Sequence, residues 1–158
     1  MSWTRGADRI RALIEQGELE PVEPSLAIGR HLLADADQHT RSARTIGEIG
    51  DLTGAYQLAY DALRKAAASL LAVQGLRATS RGGHVAVQDA MVAQFGEGVR
   101  AFRAFGRLRR NRNRFEYPGD GASEPTADDL DDALQVAEEA VEKARTILER
   151  EVLGPWAL

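Results

Sequence analysis

Apolar residues recur along the chain at three- and four-residue spacing and nowhere alternate with period two, so the pattern predicts helices throughout. From Thr4 to Gln16, Ile10, Leu13 and Ile14 follow a capping threonine, and Gly17 supplies a stop. A short, peripheral helix is expected there. Residues 18–24 carry Pro21 and Pro24 and read as an extended link. Ser25 caps a second helix bearing Leu26, Leu32, Leu33, Ala36, Ala43 and Ile46, which ends near Gly47 to Gly50. From Asp51, the stripe Leu52, Tyr56, Ala59, Leu63, Ala67 and Leu70 marks a central helix that Gly75 terminates. Its alanines at 59, 62, 66, 67 and 68 leave little bulk, so a neighbouring helix can approach closely.

The polar link LRATSRGGH, residues 76–84, precedes a helical spacing through Val85, Met91, Val92 and Phe95, which Gly96 and Gly98 bend or break. An arginine-rich helix follows. It must end near Tyr117, because Pro118 disfavours α geometry in the residue before it, and PGDGASEP through residue 125 reads as loop. Thr126 caps the last long helix, whose buried face is Leu130, Leu134, Ala137, Val141, Ala144, Leu148 and Val152. The expected fold is all-α: an antiparallel up-and-down helical bundle of four long helices plus a short N-terminal one. Residues 1–24 would be the N-terminal helix and linker, 25–153 the bundle, and 154–158 a tail whose Trp156 packs on the bundle or on a second subunit.

Charge changes this picture at one place. The chain of 158 residues has a net charge of -4, yet seven arginines fall between Arg100 and Arg114. Of the 20 basic residues only Lys65 and Lys143 are lysine, and arginine is the better fork for phosphate or carboxylate. A uniformly basic nucleic-acid binder is excluded, while a local basic surface on an acidic body is not. The absence of cysteine removes disulfides, thiolate nucleophiles and cysteine-based zinc sites, and no cofactor is expected. No apolar run approaches the roughly 20 residues of a membrane span and the start lacks a signal-peptide core, so a cytoplasmic protein is expected.

On a helix, Arg100, Arg103, Arg107, Arg110 and Arg114 form one stripe, while Arg109 and Arg112 fall among the apolar neighbours Phe102, Phe105 and Leu108. Like charges at this spacing repel by a few tenths of a kcal/mol per pair, which calls for an anion nearby. Either the carboxylates of residues 128–142 neutralise the stripe internally, or a polyanion does, with guanidinium forks on phosphates and Tyr117 or a phenylalanine stacking on bases. The second reading is preferred and makes Arg103, Arg107, Arg109, Arg110 and Arg114 the nucleic-acid contacts.

RLRRNRNRFEYPG resembles the motif segment of HEPN domains, helical bundles of prokaryotic toxin–antitoxin pairs, abortive-infection systems and nucleotidyltransferase partners. The central helix GAYQLAYDALRKAAASLLAVQG, the GGH link and the arginine helix follow the same order, and the similarity spans roughly residues 26–152. The resemblance implies a homodimer whose paired arginine helices form an RNA cleft, a possible antitoxin or nucleotidyltransferase partner, and metal-independent RNA cleavage by Arg and His. It puts Arg112-Asn113, or Arg110-Asn111 in the alternative register, at the family's catalytic Arg-Asn pair. The family's histidine is missing in both registers: Tyr117 stands in its place in one, Phe115 in the other. A tyrosine hydroxyl of pKa near 10 is ionised in only about one molecule in 10³ at pH 7, a deficit of roughly 4 kcal/mol. RNA binding is therefore expected over efficient cleavage, with a metal-independent endoribonuclease and a non-catalytic protein-interaction module as alternatives. On a straight helix Arg110, Asn113 and Tyr117 share a side, which makes Arg110 the expected partner of Tyr117.

The remaining candidates have plainer readings. His84 after Gly82-Gly83 is read as a capping or core histidine ahead of a displaced proton carrier, and RGG as a flexible turn. His31 and His39 are two helical turns apart, too far to share a metal unaided, and Asp128, Asp129, Asp131 and Asp132 suit a helix N-terminus without a cation.

Overall fold

The computed structural model describes residues 3–117, 119 and 123–156. It is an all-α helical bundle built on three helices of 23 residues each: α2 (Leu26–Glu48), α3 (Leu52–Gln74) and α7 (Ala127–Glu149). The other elements are α1 (Ala7–Glu15), β1 (Leu19–Pro21), β2 (Leu76–Ala78), α4 (Gly83–Phe95), α5 (Arg100–Arg103) and α6 (Phe105–Glu116). The starts of the three long helices follow the sequence, whereas α1 begins after Gly6 at φ 69° with no side-chain cap, so the expected cap at Thr4 is absent. Ser25 and Asp51 each accept a hydrogen bond from a first-turn amide, and Thr126 with Asp129 closes a reciprocal capping box.

α3 lies at the centre, with Ala55, Tyr56, Ala59, Tyr60, Leu63, Ala66, Ala67 and Leu70 all at most 2% exposed. Small side chains allow this density. A Cβ on Gly29 of α2 would lie 2.8 Å from Val73 Cγ2 and 3.0 Å from the Ser69 carbonyl of α3. Gly75 ends α3 at φ 74°, a conformation that L side chains rarely adopt, and its carbonyl accepts the Val22 amide at 2.9 Å.

Three further expectations are corrected. The link at 18–24 and the polar segment after Gly75 pair as a two-stranded antiparallel ribbon, Leu19 opposite Ala78 and Glu20 opposite Arg77. Three residues per strand are too few to show alternation in the sequence. α1 is an integral part of the core, because Ile10 and Leu13 are fully buried, as is Leu19 just beyond it. The fourth long helix is divided: Val99 is extended at φ -128° and ψ 102°, and the Ala104 amide is shared by the Arg100 and Ala101 carbonyls, which separates α5 from α6.

Trp156 packs on the bundle, 9% exposed, with its amide donating to the Gln74 carbonyl at 2.7 Å. Pro118 and residues 120–122 of the expected loop lie outside the described residues. No described helix is long and apolar enough to cross a membrane.

Candidate functional site

α6 is held down by Phe105 and Leu108, both fully buried, and by Phe115, which meets Tyr56 of α3 edge to face with ring centroids 5.1 Å apart. Those anchors fix which arginines reach solvent. Arg100, Arg103, Arg107, Arg110 and Arg114 are exposed, and Arg109 and Arg112 are half-buried on the side facing α3 and α4. The five stay exposed on both sides of the helix break at Ala104.

Its neutralisation is divided. Arg107 forms an ion pair with Asp132 of α7, the internal arrangement that the acidic last helix suggested. Arg103, Arg110 and Arg114 have no carboxylate within 4.0 Å among the described residues; Arg114 instead lies over the Phe115 ring, 4.9 Å from its centroid. Gly106 makes room for Arg110, since a Cβ there would stand 3.3 Å from Arg110 Nη1 and 2.8 Å from Gln88 Nε2.

The inner face is a different environment. Arg109 Nε donates to Gln88 Oε1 at 3.1 Å. Arg112 stands 2.8 Å from Glu116 Oε2 without hydrogen-bond alignment, donates to Asn113 Oδ1 at 3.2 Å, and lies 5.9 Å from the centroid of the Tyr60 ring. It borders a cleft of about 280 Å³ with Gln57, Tyr60 and Asp61 of α3 and His84 of α4. The Tyr60 hydroxyl is 3.0 Å from His84 Nδ1. Burial pushes the Tyr60 hydroxyl up to about 12 against the opposing pull of Arg109 and Arg112. Burial, then the charges of Arg64 and Arg112, hold the His84 imidazole below its usual range. Both groups are therefore neutral at pH 7. The contact with the Tyr60 hydroxyl engages Nδ1 and leaves Nε2 as the other ring nitrogen.

Tyr117 is the C-cap of α6, its amide bonded to the Asn113 carbonyl, and its side chain is 71% exposed. Among the described residues it makes no hydrogen bond or cation–π contact with Arg110 or Arg112, so the expected pairing of Arg110 with Tyr117 is absent. Asn113 is exposed and lies between the two arginine faces.

The residues joined to Arg112 come from far away in sequence. Tyr60 falls outside the α3 stripe read from spacing, and local sequence makes His84 a cap or core residue first; only the packing of α4 and α6 across α3 brings them together. His31 and His39 are accounted for by Asp35, 3.7 Å away, and Asp61, 3.0 Å away. Asp129 serves the capping box and Asp132 the ion pair. Among the described residues no group of three or more His, Asp or Glu could hold a metal ion.

Fold and surface together define an all-α bundle with one cationic helix. No family model, curated protein or solved structure matches the chain.

Proposed function

We propose that this protein binds RNA through the outer face of α6, as a HEPN-like homodimer with a toxin–antitoxin or defence role. The observation that carries the reading is the set Arg103, Arg110 and Arg114, exposed and without a carboxylate partner among the described residues. Guanidinium forks so placed suit successive phosphates of a single strand, and the acidic remainder of the chain confines binding to that face. Asn113 carries the contact round the helix to Arg112, where the hydrogen-bonded Tyr60–His84 pair has one further neutral donor for a phosphate oxygen.

Binding is favoured over cleavage because Tyr117 is exposed and touches neither arginine among the described residues, and His84 Nδ1 is already engaged with the Tyr60 hydroxyl. The test is fluorescence anisotropy of a labelled single-stranded RNA at about 50 mM salt and above. Arg110→Ala with Arg114→Ala should weaken binding at least tenfold and flatten the slope of log affinity against log salt by about 1.4, at about 0.7 for each phosphate no longer neutralised. Absence of binding at low salt, or an unchanged slope in the double variant, would refute it. A ribonuclease reading rests on His84 standing beside Arg112. It requires cyclic-phosphate products in EDTA that disappear in His84→Gln.

A further inference from the structure

A second concavity lies away from α6, where the start of α2, the middle of α3, the ribbon and α4 meet around a cavity of about 400 Å³. Its walls are apolar. Leu71 and Val87 form the floor, Ala68 and Ala72 hollow out one side of α3, and Ile28 stands 56% exposed at the mouth. Two guanidiniums border it, against one carboxylate, that of the exposed Glu23.

The state of those guanidiniums is informative. Arg64 is held by Asp61 through Nε and Nη2, and Arg77 by Glu20 through the same two nitrogens. Each pairing fixes the side chain by one edge. In both, Nη1 has no hydrogen bond among the described residues. An apolar cavity of this size with oriented cationic donors at its border has the usual make-up of a small-molecule site. A purely apolar ligand would leave those donors unused, and a compact polar anion would leave the walls unfilled.

We propose that this cavity binds an amphiphile with an apolar body and a single carboxylate, a medium-chain carboxylic acid. The chain lies on Leu71, Val87, Ala68 and Ala72, and the carboxylate accepts from Nη1 of Arg77. Ile28 closes over the bound chain.

The experiment is a titration of the full chain with decanoate and, separately, decanol, read from the methyl resonances of Ile28, Leu71 and Val87. Decanoate should shift these resonances saturably and bind about tenfold or more tightly than decanol, the increment of a charge-assisted hydrogen bond. Arg77→Gln, a change at an exposed side chain, should lower the preference for decanoate, and Ala72→Phe should abolish binding of both. If Ala72→Phe does not fold, the Arg77→Gln comparison decides alone. Unshifted methyl resonances, equal binding of acid and alcohol, or a preference unchanged in Arg77→Gln would overturn the proposal.

Discussion

The two faces of α6 carry the same residue type in opposite conditions. On the outer face, Arg103, Arg110 and Arg114 are solvated and have no acid beside them among the described residues; on the inner face, Arg109 and Arg112 are half-buried against an amide, a carboxylate and a tyrosine ring. An outer arginine keeps its charge available to a partner. An inner one is half-buried with a donor bonded inside the fold and acts on its neighbours, lowering the proton affinity of His84. Arg107 is the exception that separates position from availability, since it is exposed yet paired with Asp132.

The comparison breaks most readily at the anchors between the faces. Phe105→Ala, at a fully buried ring, should destabilise the bundle by about 3–5 kcal/mol, whereas Arg110→Ala and Arg114→Ala should each stay within about 0.5 kcal/mol in urea unfolding. Similar destabilisation on both faces would mean that the outer arginines are structural.

At the inner face, Tyr60→Phe removes the hydroxyl that meets His84 Nδ1 and should cost about 1 kcal/mol while altering the imidazole nitrogen resonances. A silent His84 spectrum would remove the hydrogen bond from the account.

A smaller effect is expected with pH. His84 takes up a proton less readily in the folded chain than in the unfolded one, so its contribution is complete above about pH 6.5 and is lost as pH falls from there through its lower folded value. Replacing it by glutamine should flatten that part of the stability–pH curve. Arg112→Ala should move the His84 titration back towards its ordinary range, which an NMR titration would read directly.

The smallest expected change sharpens the outer face. Asp132→Asn releases Arg107 from an exposed pair worth at most about 1 kcal/mol, and should strengthen RNA binding a few-fold while steepening its salt dependence. An unchanged affinity would confine the RNA to the end of the stripe nearer Arg114.

What is legible in the chain is whatever its local spacing encodes. The capped starts at Ser25, Asp51 and Thr126, the stop at Gly75, and the division of the arginines into five outer and two inner ones all follow from side chains a few residues apart. The Tyr60–His84–Arg112 cleft cannot be read that way, because its members are brought together by helix packing across about 24 and 28 residues of chain. The ribbon escapes local reading for a related reason: its strands are short, and their stability comes from pairing across the α2–α3 hairpin. Glu20 and Arg77, whose side chains meet at 2.6 Å, are ordinary surface charges until that pairing exists. Nor does spacing reveal the break at Ala104, on both sides of which the stripe arginines are exposed.

The ribbon also makes the helices a ruler. α2 and α3 have 23 residues each, so each advances about 35 Å, and the chain that leaves β1 returns to β2 at the same level. A residue inserted into either helix would turn every later side chain in it by about 100° and carry one strand out of step with the other. Length along this hairpin is thus under tighter control than composition. Extra residues belong in the turn at 49–51, where they change neither measure.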